Sequence, residues 1–167
     1  MTPPGPDNDA VRRHLLAAVS VDPARASLRT LLHTEESRPI EAITLTDPQS
    51  PDDQKQHVLI VGGQHGNEET ARLIALKTID YLLSPEAADI LRQQKVVILP
   101  NLSPDAAARD EYDTPAGVRP NLDHGPDGPV SNEARALQMA ANELIPDVYV
   151  DIHAMGHSGC GNDMVLF

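Results

Sequence analysis

The stretch His57-Val-Leu-Ile-Val-Gly-Gly-Gln-His-Gly-Asn-Glu-Glu69 determines how the rest of the chain is interpreted. Its apolar run, Val58–Val61, has the β-branched content and the length of a buried strand. A pair of glycines follows, and then come His65 and Glu68, directly before a helical pattern. The sequence therefore predicts a strand-to-helix turn that carries an imidazole and a carboxylate, at a position where α/β proteins commonly place their sites.

The spacing of these side chains is typical of a metal site. His65 and Glu68 are three residues apart, so both side chains can reach one point across the first turn of a helix. A second histidine, His153, directly follows another apolar run, Val148–Ile152. Two histidines and one carboxylate form a common catalytic zinc site that leaves a fourth position open for water. Because the carboxyl ends of parallel strands share one edge of a sheet, His65, Glu68 and His153 are predicted to hold one Zn²⁺ ion.

Two polar residues beside His153 have open roles. Asp151 precedes His153 by two positions on the same face of the predicted strand, so it either orients that ligand or is a polar residue at a strand end. His157 is an alternative ligand, a residue at the mouth of the site, or a surface residue.

Composition restricts the class of protein. The 167 residues are 40% hydrophobic, which suits one domain with a core. The formal net charge of -12 argues against nucleic acid and anionic membranes as partners, because both need a basic surface. The segment Met1–Ala10 lacks the features of a signal peptide and no apolar run reaches membrane-spanning length, so a cytoplasmic protein is expected. The single cysteine, Cys160, excludes an internal disulfide and is expected to be a free thiol.

Periodicity divides the chain into alternating helices and strands. The predicted helices are 9–21, 24–33, 67–83 with Asn67 as its N-cap, 85–93, and a last helix from Ser131 that Pro146 ends. The predicted strands are 39–46, 58–61, 96–99 and 148–152. Residues 101–130 are expected to form a functional or mobile loop. This order predicts an α/β three-layer sandwich around a mostly parallel, mixed sheet, with residues 1–8 as a flexible N-terminus and residues 9–167 as one domain.

Several motifs resemble the zinc metallocarboxypeptidase superfamily, which includes the succinylglutamate desuccinylase and aspartoacylase branch. Gly63–Glu68 is similar to the family's His-x-x-Glu zinc motif, and Pro146–His153 is similar to the strand that ends in its last zinc ligand. Further similar stretches occur in the family's order at Glu36–Ile40, Pro100–Asp105 and Pro129–Leu137.

The resemblance implies a fold and a reaction. It implies that residues 9–167 are part of a metallocarboxypeptidase-like catalytic domain. It implies zinc held by His65, Glu68 and His153, and a water molecule that attacks a polarised amide carbonyl. The implied substrate is a peptide or an N-acyl amino acid.

The segment Gly117–His124 departs from the family's substrate-binding pattern. The family usually has an Asn-Arg pair that holds the terminal carboxylate of the substrate. In one register Asn121 keeps the Asn and Leu122 stands in place of the Arg, where it cannot make a bidentate contact. Arg119 then replaces an Asp that supports the first zinc histidine. In another register Arg119 and Asn121 form the family's Arg-x-Asn element, whose Arg stabilises the oxyanion. In both registers Arg119 and Asn121 face the site, and they are the predicted catalytic residues.

The family's general base is a Glu on a late strand, and the sequence offers no counterpart. No Glu follows His153, and Asp163 is the only carboxylate there. The chain is therefore expected to lack the C-terminal part of the fold, with its apolar end Met164–Phe167 cut through a strand. It would be either a fragment of a longer reading frame or a degenerate member.

Three functions follow from these expectations. The first is a zinc hydrolase that cleaves a peptide or amide bond with an activated water. The second is an N-acyl amino acid deacylase or amidohydrolase of the same superfamily. The third is a catalytically inactive zinc-binding module.

Overall fold

The computed structural model describes residues 5–154 and the backbone of residues 164–166. His157, Cys160 and Asp163 lie outside the described residues. The strands are β1 (Ala26–His33), β2 (Pro39–Leu45), β3 (Gln56–Gly62), β4 (Gln94–Leu99), β5 (Val148–Ala154) and β6 (Met164–Leu166). The α-helices are α1 (Asn8–Val21), α2 (Glu69–Leu82), α3 (Ala88–Gln93), α4 (Pro104–Arg109) and α5 (Asn132–Leu144). Within this part of the chain, no helix combines the length and the apolar character needed to cross a membrane.

The described strands form one mixed sheet with the order β1-β2-β4-β3-β5-β6. β3 pairs in parallel with β4 and with β5. β2 pairs antiparallel with β1 and β4, and β6 pairs antiparallel with β5. β1, β3, β4 and β5 therefore run in one direction, with the parallel pairs at the centre. The predicted mostly parallel, mixed sheet is confirmed.

The central strand β3 is covered by helices on both faces. Val58 and Ile60 pack in a core cluster with residues of α1 and α2, whereas Leu59 and Val61 pack in a second cluster with residues of α5. Successive side chains of a strand point to opposite faces, so a strand covered on both faces needs a continuous apolar run. The two helical layers with the sheet between them confirm the three-layer sandwich.

The segment 24–33 contains a strand, so the helix predicted there is wrong. β1 pairs with β2 along most of its length, and the register shifts between Thr30 and Leu32. Such a bulge interrupts the alternation of apolar and polar residues that identifies a strand in a sequence. Ala26 and Leu31 are both buried but lie in different core clusters, so the segment shows no single apolar face, and its pairing with β2 establishes the strand.

Two further expectations need correction. The predicted loop 101–130 contains α4 and a 3-10 turn, Pro120–Leu122; α4 is too short to show a helical period. α2 begins at Glu69, with Glu68 and not Asn67 as its N-cap, and no side chain caps it. The Glu68 side chain does not cap α2 because its carboxylate contacts two histidines of the site described below.

The described part of the predicted flexible N-terminus, 1–8, contacts α2. The N–H of Gly5 donates to the carboxylate of Glu69 at 2.7 Å. The guanidinium of Arg72 donates to the carbonyl of Pro6 at 3.1 Å. These contacts hold the start of α1 against the start of α2.

Candidate metal centre

The turn between β3 and α2 is fixed by close backbone packing. Gly66 lies so near α4 that a Cβ atom there would be 2.0 Å from the carbonyl carbon of Ala106. Gly63 has a φ of 63°, in the left-handed region that favours glycine. Ser103 donates its N–H to the carbonyl of Gly63 at 2.9 Å and its hydroxyl to the carbonyl of Gln64 at 2.7 Å. The hydrogen bonds from Ser103 before His65 and the packing of Gly66 after it therefore fix the backbone that carries His65.

The three predicted ligands lie together. One donor atom from each of His65, Glu68 and His153 falls within 4.8 Å of the others. His65 Nδ1 is 2.9 Å from Glu68 Oε1, and His153 Nδ1 is 3.1 Å from Glu68 Oε2. His65 and Glu68 are buried, and His153 is partly exposed. Both imidazoles therefore direct Nδ1 at the same carboxylate.

The second nitrogen of each imidazole contacts an oxygen outside this cluster. His65 Nε2 is 3.1 Å from Asn121 Oδ1, and His153 Nε2 is 3.1 Å from Asp151 Oδ2. An imidazole whose Nε2–H faces an oxygen can give up its Nδ1 proton when a metal ion binds, and the form with a lone pair on Nδ1 is the one that binds the ion. Each histidine is thus oriented to offer Nδ1 as a ligand.

The donor set fits a zinc ion. Two imidazole nitrogens and a carboxylate oxygen are donors that zinc binds, and three protein ligands leave a position for water. Ligand atoms about 2.1 Å from a tetrahedral ion lie about 3.4 Å from one another. Glu68 Oε1 lies 2.9 Å from His65 Nδ1 and 3.4 Å from His153 Nδ1, so small shifts would admit the ion.

Contacts within the cluster lower the pKa of Glu68 and raise the pKa of His153. Burial of Glu68 opposes its ionisation, but hydrogen bonds from His153 and His65 outweigh burial and lower the pKa of Glu68. Hydrogen bonds to Asp151 and Glu68, opposed by burial, raise the pKa of His153 to about 10. At neutral pH Glu68 is therefore ionised and His153 is protonated, and a metal ion must displace that proton in order to bind Nδ1.

The predicted catalytic residues lie in different environments. Asn121 contacts His65 directly, through its side-chain oxygen. Arg119 is 53% exposed and pairs with Asp113, with 3.0 Å between Nε and Oδ1. Its guanidinium carbon lies 5.3 Å from the centre of the Tyr112 ring. Asn121 therefore contacts the ligand cluster directly, whereas Arg119 lies on its solvent side.

Two residues of the site did not emerge from the sequence. The Tyr112 ring stacks on the His65 ring, with 3.7 Å between centroids and 16° between planes. Gln64 is 1% exposed, and its Nε2 donates to Asp151 Oδ2 at 2.6 Å. Tyr112 lies in a loop without periodicity, which gave no signal. Gln64 stands beside His65 in the quoted stretch, and that adjacency was the only signal available.

A cavity of about 360 Å³ opens beside the cluster and is lined by residues that include Asn121, His124, Tyr149 and Asp151. A second cavity, of about 410 Å³, lies between α1, β2 and α4 and has none of the predicted site residues in its lining. Ligand pockets have volumes of roughly 300–1,000 Å³. The first cavity is therefore large enough to take part of a substrate next to the cluster.

The chain was compared with known families and structures. The sequence model of a family described as zinc carboxypeptidase matches residues 12–126. This match contains His65 and Glu68 and ends before His153. A search of curated protein sequences finds no match.

Solved structures with a similar fold include three carboxypeptidases. A metallo-carboxypeptidase from Burkholderia cenocepacia is 26% identical with a TM-score of 0.77, over 88% of this chain and 40% of that chain. Carboxypeptidase A from Helicoverpa armigera is 18% identical with a TM-score of 0.83, over 91% and 46% of the two chains. A metallo-carboxypeptidase from Pseudomonas aeruginosa, in complex with (2-guanidinoethylmercapto)succinic acid, is 20% identical with a TM-score of 0.71, over 88% and 39%.

These three alignments cover most of this chain but less than half of each of the three structures. The chain spans 40% of the Burkholderia protein. The two structures below 25% identity establish similarity of fold alone. The predicted metallocarboxypeptidase-like fold is thereby confirmed over the part that aligns.

Proposed function

Because the chain belongs to the zinc carboxypeptidase family, we propose that it holds one Zn²⁺ ion and takes part in the hydrolysis of a peptide or amide bond. The proposed ligands are His65 Nδ1, His153 Nδ1 and the carboxylate of Glu68. The observation that carries the proposal is the convergence of these donor atoms within 4.8 Å.

The chain's own residues prepare this site for a metal. When bound, zinc supplies a water molecule of lowered pKa and polarises the carbonyl that this water attacks. Asn121 Oδ1 contacts Nε2 of His65 and Asp151 pairs with Nε2 of His153, so both rings would keep a proton on Nε2 and offer Nδ1 to the ion. The stacked ring of Tyr112 covers one face of the His65 ring and keeps water from it.

Arg119 is the proposed contact for a substrate oxygen. Its guanidinium is more than half exposed and has one carboxylate partner, Asp113. A substrate carbonyl or carboxylate can therefore replace that partner without leaving a buried charge unpaired. The guanidinium offers parallel N–H donors that match such an oxygen group, and they stabilise negative charge that develops on it.

A deacylase or amidohydrolase of the same superfamily is the second candidate, and Leu122 favours it for amides that carry no free terminal carboxylate. Leu122 is 69% exposed and, in one register, stands where the family has the arginine that binds a terminal carboxylate. Asn121, the other member of that pair, contacts His65. A substrate with a free terminal carboxylate would thus lack the usual pair of contacts from this segment.

Metal analysis tests the zinc site. The metal-free 167-residue chain is incubated with excess Zn²⁺, freed of unbound metal, and analysed for zinc per chain. We expect one ion in the wild type and a loss of bound zinc in His65→Ala and His153→Ala. His14→Ala is the matched control, because His14 pairs with Asp80 outside the ligand cluster. Substoichiometric zinc in the wild type, or equal zinc in His65→Ala, would overturn the site.

A substrate panel tests the reaction separately. The zinc-loaded chain is assayed on peptides with free and with amidated C-termini, and on N-acyl amino acids. We expect product that disappears on chelation and in Glu68→Gln. Peptide cleavage supports the first candidate, and cleavage of N-acyl amino acids supports the second. Full zinc occupancy without turnover of any substrate would contradict both and leave a zinc-binding module without catalytic activity.

A further inference from the structure

The contact that orients His153 depends on a third residue. Asp151 Oδ2 lies 3.1 Å from His153 Nε2 and also accepts the hydrogen bond from Gln64 Nε2, at 2.6 Å. Both contacts use the same carboxylate oxygen. A carboxylate can only accept, so the Gln64 amide must direct its NH₂ group at Asp151.

The side chain of Gln64 is more deeply buried than that of Asp151. The Gln64 side chain is 1% exposed, and its backbone carbonyl accepts from the buried hydroxyl of Ser103 at 2.7 Å. The Asp151 side chain is partly open to solvent. Without a fixed donor, this carboxylate could rotate towards water and away from His153. The Gln64 side chain therefore links two elements: the turn that contains His65, and the strand β5 that contains Asp151 and His153.

An amide suits this position chemically. It donates to Asp151 without adding charge, so the carboxylate keeps its full effect on the imidazole of His153. A lysine or arginine would neutralise Asp151, and a glutamate would repel it.

We propose that Gln64 is a positioning residue of the metal centre: it holds Asp151 against His153 Nε2, and so directs His153 Nδ1 at the point where Glu68 and His65 converge. This inference rests on the proposed zinc site. Gln64 is not a ligand of the proposed ion; it lines the cavity beside the cluster, and its effect on the metal passes through Asp151.

A double-mutant cycle on zinc affinity tests the inference. The zinc dissociation constants of the wild type, Gln64→Met, Asp151→Asn and the double variant are measured by competition with a chelator at one pH. Loss of a contact that orients a ligand typically weakens metal binding by about 10–100-fold. We expect this for Asp151→Asn and roughly a tenfold loss for Gln64→Met. The double variant should bind no more weakly than Asp151→Asn alone, because the two residues form one path.

Controls separate this role from a merely structural one. Unfolding of each metal-free variant by urea is measured in parallel, since a structural Gln64 would affect stability and leave the dissociation constant unchanged. Gln93→Met, at the exposed end of α3, should bind zinc like the wild type. If Gln64→Met does not fold, Gln64→Glu replaces it, with an expected loss of zinc affinity at least as large.

The outcomes distinguish this inference from its premise. A Gln64 variant with the affinity of the wild type, or additive losses in the double variant, would overturn the role of Gln64 alone. A wild-type chain that binds no zinc would overturn the role of Gln64 together with the zinc site.

Discussion

His65 and His153 have different partners on their second ring nitrogens. The partner of His65 is the neutral side-chain oxygen of Asn121, whereas the partner of His153 is the carboxylate of Asp151. A carboxylate makes an imidazole more basic than an amide does. The two proposed nitrogen ligands therefore differ in strength, and the Asp151 side of the site is the more sensitive to substitution.

At the scale of single residues, sequence spacing accounts for part of the site. The three-residue spacing of His65 and Glu68 and the strand-end position of His153 follow local rules, and they predicted that these side chains would meet. The directions of Arg119 and Asn121 depend on the 3-10 turn Pro120–Leu122, which no periodicity indicates. Sequence alone therefore left the register of that segment open.

A buried carboxylate away from the cluster gives a prediction about pH. Burial raises the pKa of Glu133, and the nearby charges of Asp105, Glu35 and Asp123 add to this effect. The folded state thus holds the proton more tightly than the unfolded state, so ionised Glu133 lowers stability above its folded pKa. This cost fades as the pH falls through the folded pKa towards the ordinary value of 4.5.

We therefore expect Glu133→Gln to raise the free energy of unfolding at pH 8 and to change it little at pH 4. Urea denaturation at both pH values measures the difference. Glu111→Gln, which alters an exposed side chain and the net charge equally, is the control and should change little. A Glu133→Gln variant less stable than the wild type at pH 8 would contradict the sign.

At the scale of elements, the sequence predicted the helices and strands whose periodicity is unbroken. It missed those whose structure depends on a distant partner. The runs of β3, β4 and β5 and the long stripes of α1, α2 and α5 each extend far enough to show their period. β1 is interrupted by a bulge, and α4 has only 6 residues. Both depend on a partner that is distant in sequence: β1 pairs with β2, and α4 packs on the turn that carries His65.

The contact between α4 and this turn makes Gly66 a sensitive position. A Cβ atom there would lie 2.0 Å from one backbone atom of Ala106 and 2.3 Å from another, and backbone cannot move aside as a flexible side chain can. We expect Gly66→Ala to lower the free energy of unfolding by on the order of 3 kcal/mol and to weaken zinc binding, because α4 or the turn must shift.

Thermal and urea unfolding check this prediction against Gly125→Ala. Among the described residues, no atom lies within 4 Å of a Cβ atom built at Gly125, and its φ is not in the left-handed region. That variant should be neutral or slightly stabilised, because alanine restricts the unfolded chain. Equal stability of the two variants would show that the contact at Gly66 adjusts more easily than its geometry indicates.

At the scale of the whole molecule, the proposed ligands connect the middle of the sheet. Glu68 and His153 are 85 residues apart in sequence; Glu68 lies in the turn after β3 and His153 near the end of β5, and these two strands pair in parallel. The unfolded chain does not hold these donors together, so an ion that binds all three binds almost only the folded state. The free energy of binding is then added to the free energy of folding.

Zinc should therefore raise the unfolding midpoint of the whole chain. Free zinc at roughly 100 times its dissociation constant would stabilise the fold by about 2.7 kcal/mol. Glu68→Gln should lose most of this gain, because an amide replaces the anionic ligand. Mg²⁺ should give no comparable gain, since it prefers oxygen ligands to imidazole nitrogen. Scanning calorimetry with and without each ion measures the effect. If zinc raised the midpoint of Glu68→Gln as much as that of the wild type, the stabilising ion would not need Glu68. Zinc would then bind elsewhere on this acidic chain.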